Sequence, residues 1–228
     1  MKKPLIIAEC GNCHEGVSAV ALGMISKAKS AGADLVKFQA GTAEGFARTP
    51  EQVERYKKYE LGYEGYCKLI QRGREIGIPV FFSVWANGEF DILRNLKYLK
   101  LAARQCSYEN IQHYNSKNLF VSIPHKMKPK ELKTLPRGNW VPLHCVTEYP
   151  TIDPDLKRIK WLREFLKKPV GYSDHTIGIE SCIDAVKVWG ATVIEKHFTF
   201  DHEFGSLRDH KHAATPMEFA EMVMRIKQ

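Results

Sequence analysis

Eight strands alternating with eight helical connections, closed into a compact (β/α)8 TIM barrel, are the fold class this sequence predicts. Three observations carry that reading. Short apolar runs alternate with stretches of helical periodicity from end to end. No linker, repeat or low-complexity segment interrupts them, so residues 1–228 read as one domain. Polar and ionisable residues collect at the C-terminal ends of the strand candidates, where such a barrel places its reacting groups.

The strand candidates, in order, are Pro4–Cys10, Asp34–Ala40, Pro79–Trp85, Tyr98–Ala103, Leu119–His125, Trp140–Val146, Pro169–His175 and Thr192–Phe200. After the first comes a helix at Val17–Gly32, with Ala19, Leu22, Met24, Ile25 and Ala28 as its apolar residues. Tyr63–Gly77 and Ile179–Gly190 are patterned alike, and all three stop at a glycine, the residue best suited to a left-handed C-cap. The connections after the third and fifth strands are reduced to Glu89–Leu96 and Pro129–Leu135. A last helix, Met217–Lys227, follows Thr215-Pro216, a capping hydroxyl and a first-turn proline. An open doubly wound sheet shares this alternation, but the first strand–helix turn lacks G-x-G-x-x-G.

Composition narrows the function classes. With 44% hydrophobic and 26% charged residues the chain is an ordinary globular sequence. It has no run of about 18 apolar residues to span a membrane. Glu9 cuts short the apolar start that a signal peptide would need, so a cytoplasmic location is expected. The net charge of +8 favours anionic partners. Acids dilute the lysines of segments 126–133 and 157–168, which therefore read as solvated faces; no nucleic-acid partner is expected. A phosphorylated small molecule remains compatible. The six cysteines, Cys10, Cys13, Cys67, Cys106, Cys145 and Cys182, are scattered through apolar segments and read as reduced thiols. Cys10-Gly11-Asn12-Cys13-His14 matches C-x-x-C-H, but haem attachment goes with export, and a zinc site would need a second cysteine pair.

The strand ends supply the chemistry. They carry Glu9, Asn12, His14 and Glu15; Lys37 and Gln39; Ser83; Lys100 and Gln105; Ser122 and His125; His144, Thr147, Glu148 and Tyr149; Ser173, Asp174 and His175; and Glu195, Lys196 and His197. Residues two apart share a strand face, so Lys37 goes with Gln39, Ser173 with His175, and Glu195 with His197. If those faces point inward, His175 and His197 stand at matching height on neighbouring strands. Two neutral imidazoles with open positions beside them suit a divalent metal. Lys37 and Lys100, buried there, need negative charge. A bound phosphate or carboxylate would supply it, and so would a structural ion pair with Glu9 or Glu195.

Several strings then resemble one family. They are Ile6-Ile7-Ala8-Glu9 running to Asn12 and His14-Glu15-Gly16; Ala31-Gly32-Ala33-Asp34 with Val36-Lys37-Phe38-Gln39; and Leu143-His144-Cys145 with Glu148-Tyr149-Pro150-Thr151. The longest are Val170-Gly171-Tyr172-Ser173-Asp174-His175-Thr176-Ile177-Gly178 and Val193-Ile194-Glu195-Lys196-His197-Phe198-Thr199. From Pro4 to Met217 the chain resembles the N-acetylneuraminate (sialic acid) synthase family, whose barrel domain it matches. The resemblance implies a TIM barrel that condenses phosphoenolpyruvate with an amino-sugar aldehyde, giving a nonulosonic acid and phosphate. It implies a divalent cofactor, Mn²⁺ with Mg²⁺ or Co²⁺ as substitutes, held by His175 and His197. It places Lys37, Lys100, Ser122, Thr147 and Ser173 on phosphoenolpyruvate. Glu15, Gln39, Tyr149 and Asp209 fall near the sugar and the reacting carbons, with Glu15 as the general base for the incoming water.

The match has gaps. Where the family has Lys-Ile-Ala-Ser-Gly/Tyr-Glu, this chain has Lys100-Leu101-Ala102-Ala103-Arg104-Gln105; a family threonine is Val84, and Ser122-Ile123-Pro124-His125 replaces Ser-Thr-Gly-Met. Arg104 and His125 are the candidates to replace lost anion contacts. The family's C-terminal antifreeze-like domain, which reaches across a dimer, has no counterpart before Gln228. A homodimer, or pairing with an antifreeze-like domain, is the expected assembly. Two alternatives stay open at this point: a metal-dependent barrel acting on another carbonyl substrate, and a non-catalytic partner barrel of a full-length synthase.

Overall fold

The computed structural model describes residues 3–47, 49–84, 96–114 and 118–228. Its eight strands are β1 (Leu5–Gly11), β2 (Leu35–Ala40), β3 (Val80–Val84), β4 (Tyr98–Leu101), β5 (Asn118–Pro124), β6 (Val141–Cys145), β7 (Gly171–Asp174) and β8 (Val193–His197). They close in sequence order into a barrel in which β8 returns to pair with β1, and every pairing is parallel. The (β/α)8 class expected from the alternation is the fold observed. Every strand candidate contains most of one strand, and the differences are confined to the ends.

The helices are α1 (Ser18–Ser30), α2 (Ala43–Phe46), α3 (Pro50–Lys57), α4 (Gly62–Ile76), α5 (Tyr108–His113), α6 (Pro129–Leu132), α7 (Lys157–Leu166), α8 (Glu180–Lys187) and α9 (Pro216–Lys227). The left-handed C-cap expected of a terminal glycine occurs at Gly77, at φ 70°. Thr215 caps α9 by accepting from the Glu218 amide, while the Glu218 carboxylate returns to the Thr215 amide, a reciprocal capping box. Sequence reading passed over α2 and α3 in the loop after β2. Thr49-Pro50 carries the same cap-then-proline signal, and Thr49 accepts from the Gln52 amide. The expected helix at Glu89–Leu96 lies, except for Leu96, outside the described residues, as does Trp85. Among the described residues no helix is long and apolar enough to cross a membrane.

Strand alternation builds two apolar layers and one polar layer. Outward residues such as Ile6, Val36, Phe82, Val121 and Ile194 pack under the helices. Inward residues Ile7, Leu35, Phe81, Phe120, Leu143 and Val193 plug the barrel floor. Gly171 completes that plug, because a Cβ there would lie 2.5 Å from Leu143 and 2.7 Å from Val193. Two residues further along, the inward positions turn polar on every strand but β6, which presents Cys145, and these form the site. Cys10 and Cys13 belong to the outer apolar layer, fully buried, and burial raises both thiols. His14 accepts the Gly16 amide through Nδ1. The C-x-x-C-H string is therefore local packing and turn structure.

Candidate active site

Above the apolar plug lies a layer of buried charge. Lys37 Nζ stands 2.8 Å from Glu9 Oε2 and 3.2 Å from Glu195 Oε2, and it donates to Ser83 Oγ at 2.8 Å. Lys100 donates to Ser122 Oγ at 2.8 Å and lies 3.5 Å from Glu195 Oε1. Ser173 donates to the same Glu195 oxygen at 2.8 Å. The barrel thus brings together Lys37 and Ser173, which strand periodicity turns to shared faces, with Lys100 and Ser122, which the family resemblance assigns to the site. It adds Glu9, Glu195 and Ser83. Ion pairing with Glu9 and Glu195, one of the two sources of negative charge expected for the lysines, is present.

The two glutamates are not equivalent. Burial pushes Glu9 up to about 7, with Glu195 adding to the rise and Lys37 opposing it. Burial also opposes ionisation of Glu195, but Lys100, Lys37 and the Ser173 hydroxyl outweigh it and hold that carboxyl at about 2. Burial depresses Lys100, whereas Glu195 and Glu9 overcome burial at Lys37 and raise it. The layer therefore holds one committed anion and one carboxyl that exchanges its proton near neutrality, a combination typical of working sites.

Imidazoles stand at the next level. His175 Nδ1 donates to the Val146 carbonyl at 2.7 Å, which fixes its tautomer and leaves Nε2 as the lone-pair nitrogen. Burial lowers His175 to about 4; burial and the neighbouring His212 and His175 rings lower His197 further. Both rings are neutral at physiological pH. Their centroids are 5.6 Å apart, and His197 Nδ1 is buried with no hydrogen-bond partner. Among the described residues no three His, Cys, Asp or Glu side chains form a ready-made metal cage. The His175–His197 pair nevertheless fits a divalent ion in its donor chemistry. It offers neutral nitrogens, one ring braced by a carbonyl as metal-bound histidines usually are, and one ring nitrogen left bare.

A third ring, His212, was missed by sequence reading. The Ala214 amide donates to the His197 carbonyl at 2.7 Å and the Thr199 amide to the Ala214 carbonyl at 3.0 Å, so this segment runs beside the end of β8. That places the His212 centroid 4.8 Å from His197 and 6.1 Å from His175. The available signal was Asp209-His210-Lys211-His212, a dense polar string directly after the eighth strand.

Over these rings opens a cavity of about 630 Å³, with Asn12, Gln39 and His197 among its lining residues and Arg55, Arg208 and Asp209 on the wall. Gln39 links the levels, accepting from Asn12 at 3.3 Å and donating to Glu9 at 3.4 Å. Tyr149 covers His175 at 4.1 Å between centroids, with the Arg208 guanidinium 5.8 Å from its ring. Burial raises the Asp209 carboxyl despite Arg208 and Arg55. Arg104 also lines the cavity, donating to the Gly45 and Phe46 carbonyls; His125 does not line it. Two expected residues stand apart from the charged layer. Thr147 is exposed on the loop after β6. Glu15 accepts the Ser206 and Leu207 amides at 3.0 and 2.8 Å and lies 3.2 Å from His210 Nε2. Burial opposes its ionisation, but those bonds prevail and lower its pKa.

A closed parallel barrel with charge, imidazoles and a cavity at the C-terminal ends of its strands defines a barrel enzyme. Residues 24–228 match the NeuB family model, and the chain belongs to that family. It is 31% identical to the N,N'-diacetyllegionaminic acid synthase of Campylobacter jejuni, over 100% of this chain and 77% of that protein. It is also 31% identical to the pseudaminic acid synthase of the same organism, over 100% of this chain and 74% of that one. The crystal structure of an N-acetylneuraminic acid synthetase from Leptospira borgpetersenii, in complex with citrate, superposes with a TM-score of 0.88. That pair shares 30% identity over 99% of this chain and 83% of the other. The chain is accordingly an enzyme of the C–C bond-forming synthase kind.

Proposed function

We propose that this enzyme condenses phosphoenolpyruvate with an amino-sugar aldehyde in a metal-dependent reaction, giving a sialic-acid-like nonulosonic acid and phosphate. One observation carries the reading: a layer of two lysines and three serines lies directly beneath two neutral, neighbouring imidazoles. The synthase relatives named above support the same reaction class. His175 and His197 would hold a divalent ion, Mn²⁺ or its substitutes Mg²⁺ and Co²⁺, which when bound polarises the acceptor's carbonyl as a Lewis acid.

The chain's own groups supply the rest. Lys37, Lys100, Ser83, Ser122 and Ser173 are donors whose positions suit a phosphate and a carboxylate in a water-poor interior. Binding that anion requires the lysines to share contacts now made to Glu9 and Glu195. Glu9, poised near neutrality and linked to the cavity through Gln39, is better placed to exchange a proton with water than Glu15. Glu15, with its oxygens on the 206–210 segment, suits holding the cavity wall. Asp209, Gln39 and Tyr149 face the space that the acceptor would fill; Thr147 would reach substrate only if its loop turned inward.

The test is phosphate release by the purified chain with Mn²⁺, phosphoenolpyruvate and a panel of hexosamines. Release that depends on both an acceptor and the metal is the expected outcome. Absence of release with every acceptor, in protein that binds the metal, refutes the reading.

A further inference from the structure

The strongest unexplained feature is a pair of bare nitrogens. His197 Nδ1 and His212 Nε2 are both buried without a hydrogen-bond partner, although the His212 side chain belongs to a residue only 1% exposed. Leaving a buried polar atom unpaired is costly, and two such atoms in adjacent rings point to a ligand they both serve. The placement of His212 is not accidental, since backbone pairing of Ala214 with His197 and Thr199 fixes it beside β8.

We propose that His212 is a third imidazole donor to the divalent metal at His175 and His197. The inference rests on the metal reading above and deepens it. Imidazole nitrogens bind such ions at about 2.0–2.1 Å, which puts each ring centre about 3.2 Å from the metal and neighbouring ring centres about 4.5–5.5 Å apart. The observed separations of 4.8, 5.6 and 6.1 Å are close to that arrangement. The donor atoms do not converge on one point here, so His212 must turn its Nε2 inward as the ion enters. A third nitrogen changes metal choice. Imidazole favours cobalt and zinc, whereas magnesium prefers oxygen ligands, so this site selects the nitrogen-seeking ions more strongly than a two-histidine site would.

The test uses the chelator-stripped protein titrated with Co²⁺ and with Mg²⁺ by calorimetry, with the visible Co²⁺ spectrum recorded alongside. His212→Phe keeps a ring without a donor, His212→Ala removes the ring, and His175→Ala and His197→Ala are the references. Thermal melts establish that each variant is folded. Loss of His212 is expected to weaken Co²⁺ binding about tenfold or more, change the ligand-field bands, and leave Mg²⁺ affinity nearly unchanged. Wild-type Co²⁺ affinity and spectrum in both His212 variants, with loss in His175→Ala, overturn this inference and spare the metal reading. Unchanged binding in His175→Ala and His197→Ala overturns both. Should the His212 variants fail to fold, pulsed electron paramagnetic resonance on Cu²⁺-loaded wild type counts the coordinated imidazoles. Three support the proposal and two refute it.

Discussion

Two buried charge systems lie back to back across the wall of the barrel at β7 and β8. On the outer face, under the helices, Lys196 Nζ meets Asp174 Oδ2 at 2.6 Å, and both side chains are fully buried. Every remaining acceptor position of Asp174 is used: Tyr172 donates at 2.7 Å, the Thr176 amide at 3.0 Å and its hydroxyl at 3.1 Å. Burial opposes ionisation of Asp174, but Lys196 and these donors prevail and lower its pKa. On the inner face, Glu9 and Glu195 share Lys37 and Lys100 with fewer partners, and the two carboxyls are driven to opposite ends of the scale. The same residue types thus do two jobs. A saturated network fixes the wall, and an under-satisfied one is left able to bind and exchange protons.

Breaking the outer pair should have the largest effect on stability. Lys196→Met leaves Asp174 buried and unpaired and is expected to cost about 3–5 kcal/mol in urea unfolding. An unfolding curve close to wild type would show that the outer pair is not the structural one. Lys37→Met tests the inner layer from the other side. Phosphate release should fall at least about a hundredfold, while the unfolding midpoint moves less than in Lys196→Met. Equal destabilisation with activity retained would reverse the comparison.

Acidity separates Glu9 from the other two carboxyls by sign. Asp174 and Glu195 have folded pKa values below their unfolded ones, so their contribution is present above about pH 4.5. It is lost as the pH falls through their folded values, which for Glu195 is about 2. Glu9 behaves oppositely. Folded chains keep its proton up to about 7 whereas unfolded chains release it near 4.5, so its contribution declines as the pH rises across that window. Glu9→Gln should flatten this decline, read as a smaller difference between urea midpoints at about pH 5 and about pH 8. The smallest effect is expected at the rim. Glu15→Gln weakens the bonds to Ser206 and Leu207 by about 1–2 kcal/mol in total, seen as faster hydrogen exchange at those two amides.

The barrel was legible because its signals are local. Period-two alternation, glycine stops and Thr-Pro caps each report on a few adjacent residues, and eight repetitions reinforce one another. The helix pair α2–α3 escaped because its helices are short, although Thr49-Pro50 announced one of them. The lysine–serine layer was partly legible for the same reason, since residues two apart must share a face. His212 was not, because its position depends on a loop folding back to pair Ala214 with β8.

What the sequence by itself determined is therefore the order of elements, the inward faces and the residue types they present: alternation pairs Lys37 with Gln39, Ser173 with His175 and Glu195 with His197 on shared faces, and the family strings add Lys100 and Ser122. Only the tertiary structure decided which charges neutralise which, that Glu9 stays near neutrality while Glu195 does not, and that a third imidazole closes on the pair. Those outcomes depend on distances of about 3 Å between strands far apart in the chain, and on burial that raises the cost of every unpaired charge.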